Sequence, residues 1–223
     1  VENLYIIGSV RTIYAMKDLP LSGSLDSAWN NIRGGENCTF GITGSYAYSQ
    51  VSTGTVFGSE PLKGIIARCL CMFDTSALPN NAVVHSAIFG TCMGASDNMD
   101  VPSDYTAVSV DYSGLLTDVT VSNFISFGAP ISVDTLWNPI NTVTFGQFII
   151  DESWLGNINT FGNTVIGLRE CTYDIGSAVP THTEIDGMPW QEWHSTTQIA
   201  PDLYIQYTVP DTRRGQVIFF NDL

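Results

Sequence analysis

The chain has 223 residues, with 22 acidic against 8 basic side chains, so its formal net charge is −14, yet only 13% of its residues are charged. An apolar share of 44% supports a buried core and excludes a disordered chain. Nucleic acid is excluded as a partner because Arg213-Arg214 is the one adjacent basic pair, and phosphate recognition needs clustered cations.

The same deficit argues against docking on an anionic membrane. No run approaches the roughly 20 apolar residues that span a bilayer, so no membrane insertion is expected. The opening Val1-Glu2-Asn3-Leu4-Tyr5 lacks an initiator Met and a signal-peptide pattern, and reads as a processed product or a fragment. Helical evidence is nearly absent, because Gly, Pro, Asn, Ser and Thr interrupt every window of about ten residues.

In chain order, Val1 to Tyr14 is apolar and strand-like, and Lys17 to Ser24, with Pro20 and Gly23, breaks it. Gly64 to Phe73 predicts a strand with Ile66, Arg68, Leu70 and Met72 on one face and Ala67, Cys69, Cys71 and Phe73 on the other. A turn-rich loop, Asp74 to Ala82, leads to a strand over Val83 to Met93. Further strands are expected at Thr106 to Tyr112, Val143 to Ile150 and Thr164 to Arg169, with short helical turns at Ser122 to Phe127 and Glu152 to Leu155.

The clearest strand is Asp202 to Val209, which alternates Leu203, Ile205, Tyr207 and Val209 against Tyr204, Gln206 and Thr208. Pro201 and Pro210 bracket it. Many short strands with Gly-rich turns predict an all-β fold, a single jelly-roll-like antiparallel β-sandwich. We divide the chain into an N-terminal strand-like extension (1–24), the sandwich (25–209) and a strand-like C-terminal tail (210–223).

Arg68-Cys69-Leu70-Cys71-Met72-Phe73-Asp74-Thr75-Ser76-Ala77-Leu78-Pro79, followed by Ala82 to Phe89, resembles the DNRLRE-type β-sandwich domain, a relative of alginate-binding carbohydrate modules. Trp154-Leu155-Gly156 through Gly167-Leu168-Arg169 is similar to a second segment of that family. His194-Ser195-Thr196 through Pro201 to Tyr207 is similar to its closing strand, and Leu25 to Gly41 more weakly to its opening. The cysteines at 69, 71 and 92 depart from the pattern. The resemblance implies a non-catalytic piece of a secreted, surface-adhesive or virion protein. Physically, Phe73 and Leu78 can plug one end of a sandwich while Asp74 caps a turn.

Catalytic constellations are not expected. The histidines at 85, 182 and 194 show no triad spacing and there is no Gly-x-Ser-x-Gly elbow. Asp151-Glu152 and Glu184 to Asp186 read as solvated acids rather than a glycosidase pair. Asp97, Asn98, Asp100 and Asp104 concentrate the oxygen ligands that Ca²⁺ prefers, although a solvated turn explains them equally. No cofactor is expected, with structural calcium at these residues as the alternative. Cys69 and Cys71 sit about 7 Å apart along one strand face, too far to join as a disulfide. With Cys92 and an inward-turned His85 they could hold zinc, though buried thiols are the plainer role.

Trp190 and Trp193, with Glu192 and His194, offer aromatic faces beside polar groups and so a glycan-binding loop. The apolar ends, Leu4 and Ile6 at the start and Val217, Ile218, Phe219 and Phe220 in the tail, suit strand addition at an open sheet edge. The expectation is therefore a non-catalytic structural or adhesive subunit at an extracellular, cell-surface or virion location. Its expected partners are protein subunits, as a homo-oligomer or part of a larger assembly, with a secreted glycan-binding module as the alternative.

Overall fold

The computed structural model describes residues 1–20, 24–44, 50–54, 63–93, 105–133, 144–179 and 200–210. Their strands are β1 (Glu2–Ile7), β2 (Ser9–Asp18), β3 (Thr39–Gly44), β4 (Gln50–Gly54), β5 (Lys63–Asp74) and β6 (Val83–Met93), then β7 (Tyr105–Val110), β8 (Phe127–Pro130), β9 (Thr144–Ile149), β10 (Asn163–Glu170) and β11 (Asp202–Thr208). A four-stranded sheet runs in the order β1-β11-β6-β9. A seven-stranded sheet runs β3-β2-β5-β10-β7-β8, with β4 also paired to β5. The pairings are antiparallel, and the fold is an all-β sandwich as expected.

The stretch read as an N-terminal extension supplies one strand to each sheet. Gly8 is the crossing point: its N–H donates to the Pro201 carbonyl at 2.7 Å. A Cβ there would lie 2.5 Å from the Phe73 ring, so only glycine lets the chain pass this close. β2 then pairs with β5 over ten residues, from Ser9 opposite Met72 to Asp18 opposite Lys63.

The alternation read along β5 is what builds two cores. Cys69, Cys71 and Phe73 face the space between the sheets, with Phe89, Phe148, Leu203 and Ile205. Phe89 stacks on Phe148 with centroids 5.6 Å apart and meets Phe73 edge-on at 5.9 Å. Leu78 is also fully buried here, and Asp74 Oδ1 accepts from the Ser76 N–H at 3.1 Å, so the plug and cap implied by the Phe73–Pro79 motif both exist.

Ile66, Leu70 and Met72 face the opposite way, into a second core. Its roof is a helix, α1 (Asp26–Arg33), which buries Ala28, Trp29 and Ile32. The sequence reading missed α1 because it is only eight residues long. Its apolar period, Leu25, Trp29 and Ile32, spans two turns and is lost in a longer window. At Gly64 a Cβ would meet Ile32 at 2.6 Å and Trp29 at 2.8 Å, so α1 rests directly on the β5 backbone. Short 3₁₀ turns at Val121–Ser126 and Glu152–Asn157 stand where helical turns were expected.

Candidate functional site

Two regions combine chemistry with position: a buried ion cluster under the roof, and the edge and outer face of the four-stranded sheet, uncovered among the described residues. The cluster grows from β5 and β10. Arg68 and Arg169 both point into the second core, where an apolar environment cannot hold a lone charge. The π turn Cys171–Ile175, which directly follows β10, brings Asp174 between them. Arg68 donates to Asp174 at 2.9 and 2.6 Å, and Arg169 at 2.9 and 2.8 Å, so one carboxylate takes two forked guanidiniums.

Arg68 reaches further, to the Phe124 carbonyl and, at 3.2 Å, to the Arg33 carbonyl at the end of α1. Its guanidinium lies 3.9 Å from the centre of the Phe124 ring. Burial alone would raise the Asp174 pKa, but the hydrogen bonds and charges of Arg169 and Arg68 outweigh it and hold the carboxyl below the usual value. The neighbouring Glu170 is buried as well, facing the first core. It accepts the N–H groups of Thr172, Tyr173 and Asp174 at 2.7, 2.6 and 3.0 Å, which fixes the turn. Burial still pushes Glu170 up, because those three bonds do not fully offset desolvation.

This cluster ties four pieces of chain together. Trp29 and Arg33 of α1 also donate to the Tyr173 carbonyl, at 3.2 and 2.6 Å. Arg68 was singled out in the sequence as the first residue of the β5 motif. Asp174 was not, since nothing in the spacing of 106 residues between them announces the pair.

The second region starts with β1. It pairs with β11 from Glu2 opposite Tyr207 to Ile7 opposite Asp202, and no described strand pairs with its other side. An edge strand directs alternate N–H and C=O groups outward, ready for a further strand. Leu4 and Ile6 pack inward against the first core, so they hold β1 in its own domain. The outward residues are Asn3, Tyr5 and Ile7, the last two 59% and 58% exposed.

Register extends this surface across the sheet. Tyr5 lies opposite Tyr204, Tyr204 opposite Ile88, and Ile88 opposite Ile149, which makes an apolar row from edge to edge. Ile149 is 55% exposed at the far edge. That far edge is partly closed, because the Val133 N–H donates to the Ile149 carbonyl at 2.9 Å and Ser132 bridges Ile150. The β1 edge has no such cover among the described residues. Its one acid, Glu2, is occupied by the Tyr207 hydroxyl at 2.9 Å.

The zinc reading is corrected by His85, which is exposed and bonded to Thr208 at 2.8 Å, whereas Cys69 and Cys71 are buried inside the sandwich. The two thiols lean together, with sulfurs 3.6 Å apart, closer than the strand repeat suggests, and both are free. The contact with Cys69 and burial raise the Cys71 pKa well above the thiol range, so it stays protonated and unreactive. Trp190, Glu192, Trp193 and His194 lie outside the described residues, as do Asp97, Asn98, Asp100 and Asp104 and the tail residues Val217, Ile218, Phe219 and Phe220. Comparison with family models and with curated proteins gives no match.

Proposed function

We propose that this chain is a non-catalytic structural or adhesive β-sandwich subunit, displayed on an extracellular surface, filament or virion, and that it assembles with copies of itself along β1. One observation carries the reading: β1 is an edge strand without proline or lysine, with Tyr5 and Ile7 exposed beside an apolar row that crosses the sheet. Natural edge strands that must stay single usually carry a charge, a bulge or a proline. Two β1 strands pairing antiparallel would continue the four-stranded sheet through a two-fold axis and bring both apolar rows into one surface.

The resemblance to the DNRLRE-type domain points the same way. So does the local chemistry, since Asp174, Glu170 and His85 are each engaged in bonds that hold chain segments together. β11 ends beside the start of β1, with Tyr207 opposite Glu2. Sedimentation of the full chain tests the proposal. Mass should rise with concentration, and Ile7→Lys should shift the dissociation constant at least about tenfold with an unchanged circular dichroism spectrum. A wild-type chain that stays monomeric throughout the concentration series contradicts the proposal.

A further inference from the structure

An open cleft of about 380 Å³ lies between the end of β7 and the start of β10, and the turn at Trp154 closes one side. Its wall is built from Asp111, Tyr112, Ser113, Trp154, Asn157 and Asn163. Volume and position suit a small ligand, since recognition clefts start at about 300 Å³.

Two aromatic side chains are fixed in it. Tyr112 is anchored by its hydroxyl, which donates to the Leu115 carbonyl at 2.5 Å, and Trp154 packs partly against the first core. Asn157 is held by donation from its amide to the Trp154 carbonyl at 3.1 Å, which leaves its own carbonyl oxygen open. Among the described residues, the Asp111 carboxylate, the Ser113 hydroxyl, the Asn163 side-chain amide and the Trp154 indole N–H have no hydrogen-bond partner. The wall therefore presents both donors and acceptors, on side chains whose backbones sit at the ends of paired strands or in a capped turn.

The lining contains no lysine, arginine or histidine. A carboxylate, phosphate or sulfate in this cleft would face Asp111 with nothing to offset the repulsion. A purely apolar ligand would leave four polar groups buried without partners. The ligand class that matches is one with an apolar face for stacking and a rim of neutral hydroxyls that both donate and accept.

We infer that this cleft binds a neutral carbohydrate, with one sugar ring stacked against Trp154 or Tyr112 and its hydroxyls bonded to Asp111, Ser113 and Asn163. The inference is independent of assembly through β1, because the two regions share no residue.

The test is a titration of the isotopically labelled full chain, followed by amide chemical shifts. The probes are cellohexaose, xylohexaose and mannohexaose, with a galacturonate hexamer and Ca²⁺ alone as separate arms. At least one neutral hexasaccharide should saturably shift amides within 109–113, 154–159 and 163–165, with a dissociation constant of about 1 mM or tighter. Asn163→Ala and Asp111→Ala, both at exposed or half-exposed positions, should each weaken it about tenfold while leaving the melting temperature unchanged. The inference is overturned by any of four results: no neutral probe shifts these amides, the shifts map elsewhere, the acidic hexamer binds more tightly, or Ca²⁺ alone reproduces the pattern.

Discussion

The two sheets solve the same problem in opposite ways. The seven-stranded sheet is covered on both faces, by its partner sheet on one side and by α1 and two short turns on the other. It holds charge in its interior where Asp174 neutralises two arginines and where three backbone N–H groups bind Glu170. Among the described residues the four-stranded sheet is covered on one face only, and its other face carries an apolar row that ends at β1, with which no further described strand pairs. One sheet spends its sequence on internal closure, while the other leaves a surface that a second copy can cover. The contrast teaches where folding stability and function separate: changes under the roof should unfold the chain, and changes on β1 should only keep copies apart.

The largest effect is expected at the ion cluster. Asp174→Ala leaves two guanidiniums without their carboxylate in a dry core, and should cost about 3–5 kcal/mol in urea unfolding. Replacing Arg68 with Met in the same chain should recover part of that loss, because the stranded charge goes too. Trp29→Ala should come next, at about 3–4 kcal/mol, since it empties the roof and also removes the bond to Tyr173. Its hydrogen-exchange signature should be confined to the seven-stranded sheet, while β1, β6 and β11 keep their protection.

Smaller, and opposite in sign, are two pH effects. Asp174 has a folded pKa below its usual 3.8, so its stabilisation is complete above about pH 4 and is lost as pH falls through the depressed value. Glu170 has a folded pKa above 4.5, so its contribution is full below that value and is lost as pH rises through the raised one. Unfolding midpoints should therefore rise on mild acidification from neutrality and fall again below pH 4. Glu170→Gln should flatten the rise and leave the fall in place. The smallest effect on stability belongs to Tyr5→Ser and Ile7→Lys, each within about 0.5 kcal/mol of wild type, because these side chains are exposed in the monomer.

The strands were the legible part. Alternation placed β5 and β11 to within one residue at each end, because the two faces of a strand differ in what they must bury. α1 escaped because two helical turns give too few repeats of a 3.6-residue period to stand out among turn formers. The role of β1 was half legible: apolar residues marked a strand with pairing capacity, but its register on β11 decides which of them face out. That register packs Leu4 and Ile6 against the core and leaves Tyr5 and Ile7 exposed. The Arg68–Asp174 pair was hidden for a simpler reason. Contacts made by chain reversal leave no local pattern, and Asp174 reaches Arg68 only because β10 lies beside β5.

Self-assembly through β1 is the central claim, and sedimentation equilibrium of wild type and Ile7→Lys across a wide concentration range tests it most directly. Because each copy carries a net charge of −14, association should also strengthen as salt screens the repulsion. The account predicts a wild-type dimer or larger species that dissociates on dilution, favoured by salt and weakened about tenfold or more by Ile7→Lys. Identical association of the two proteins, or a wild-type monomer at every concentration and salt, would contradict it.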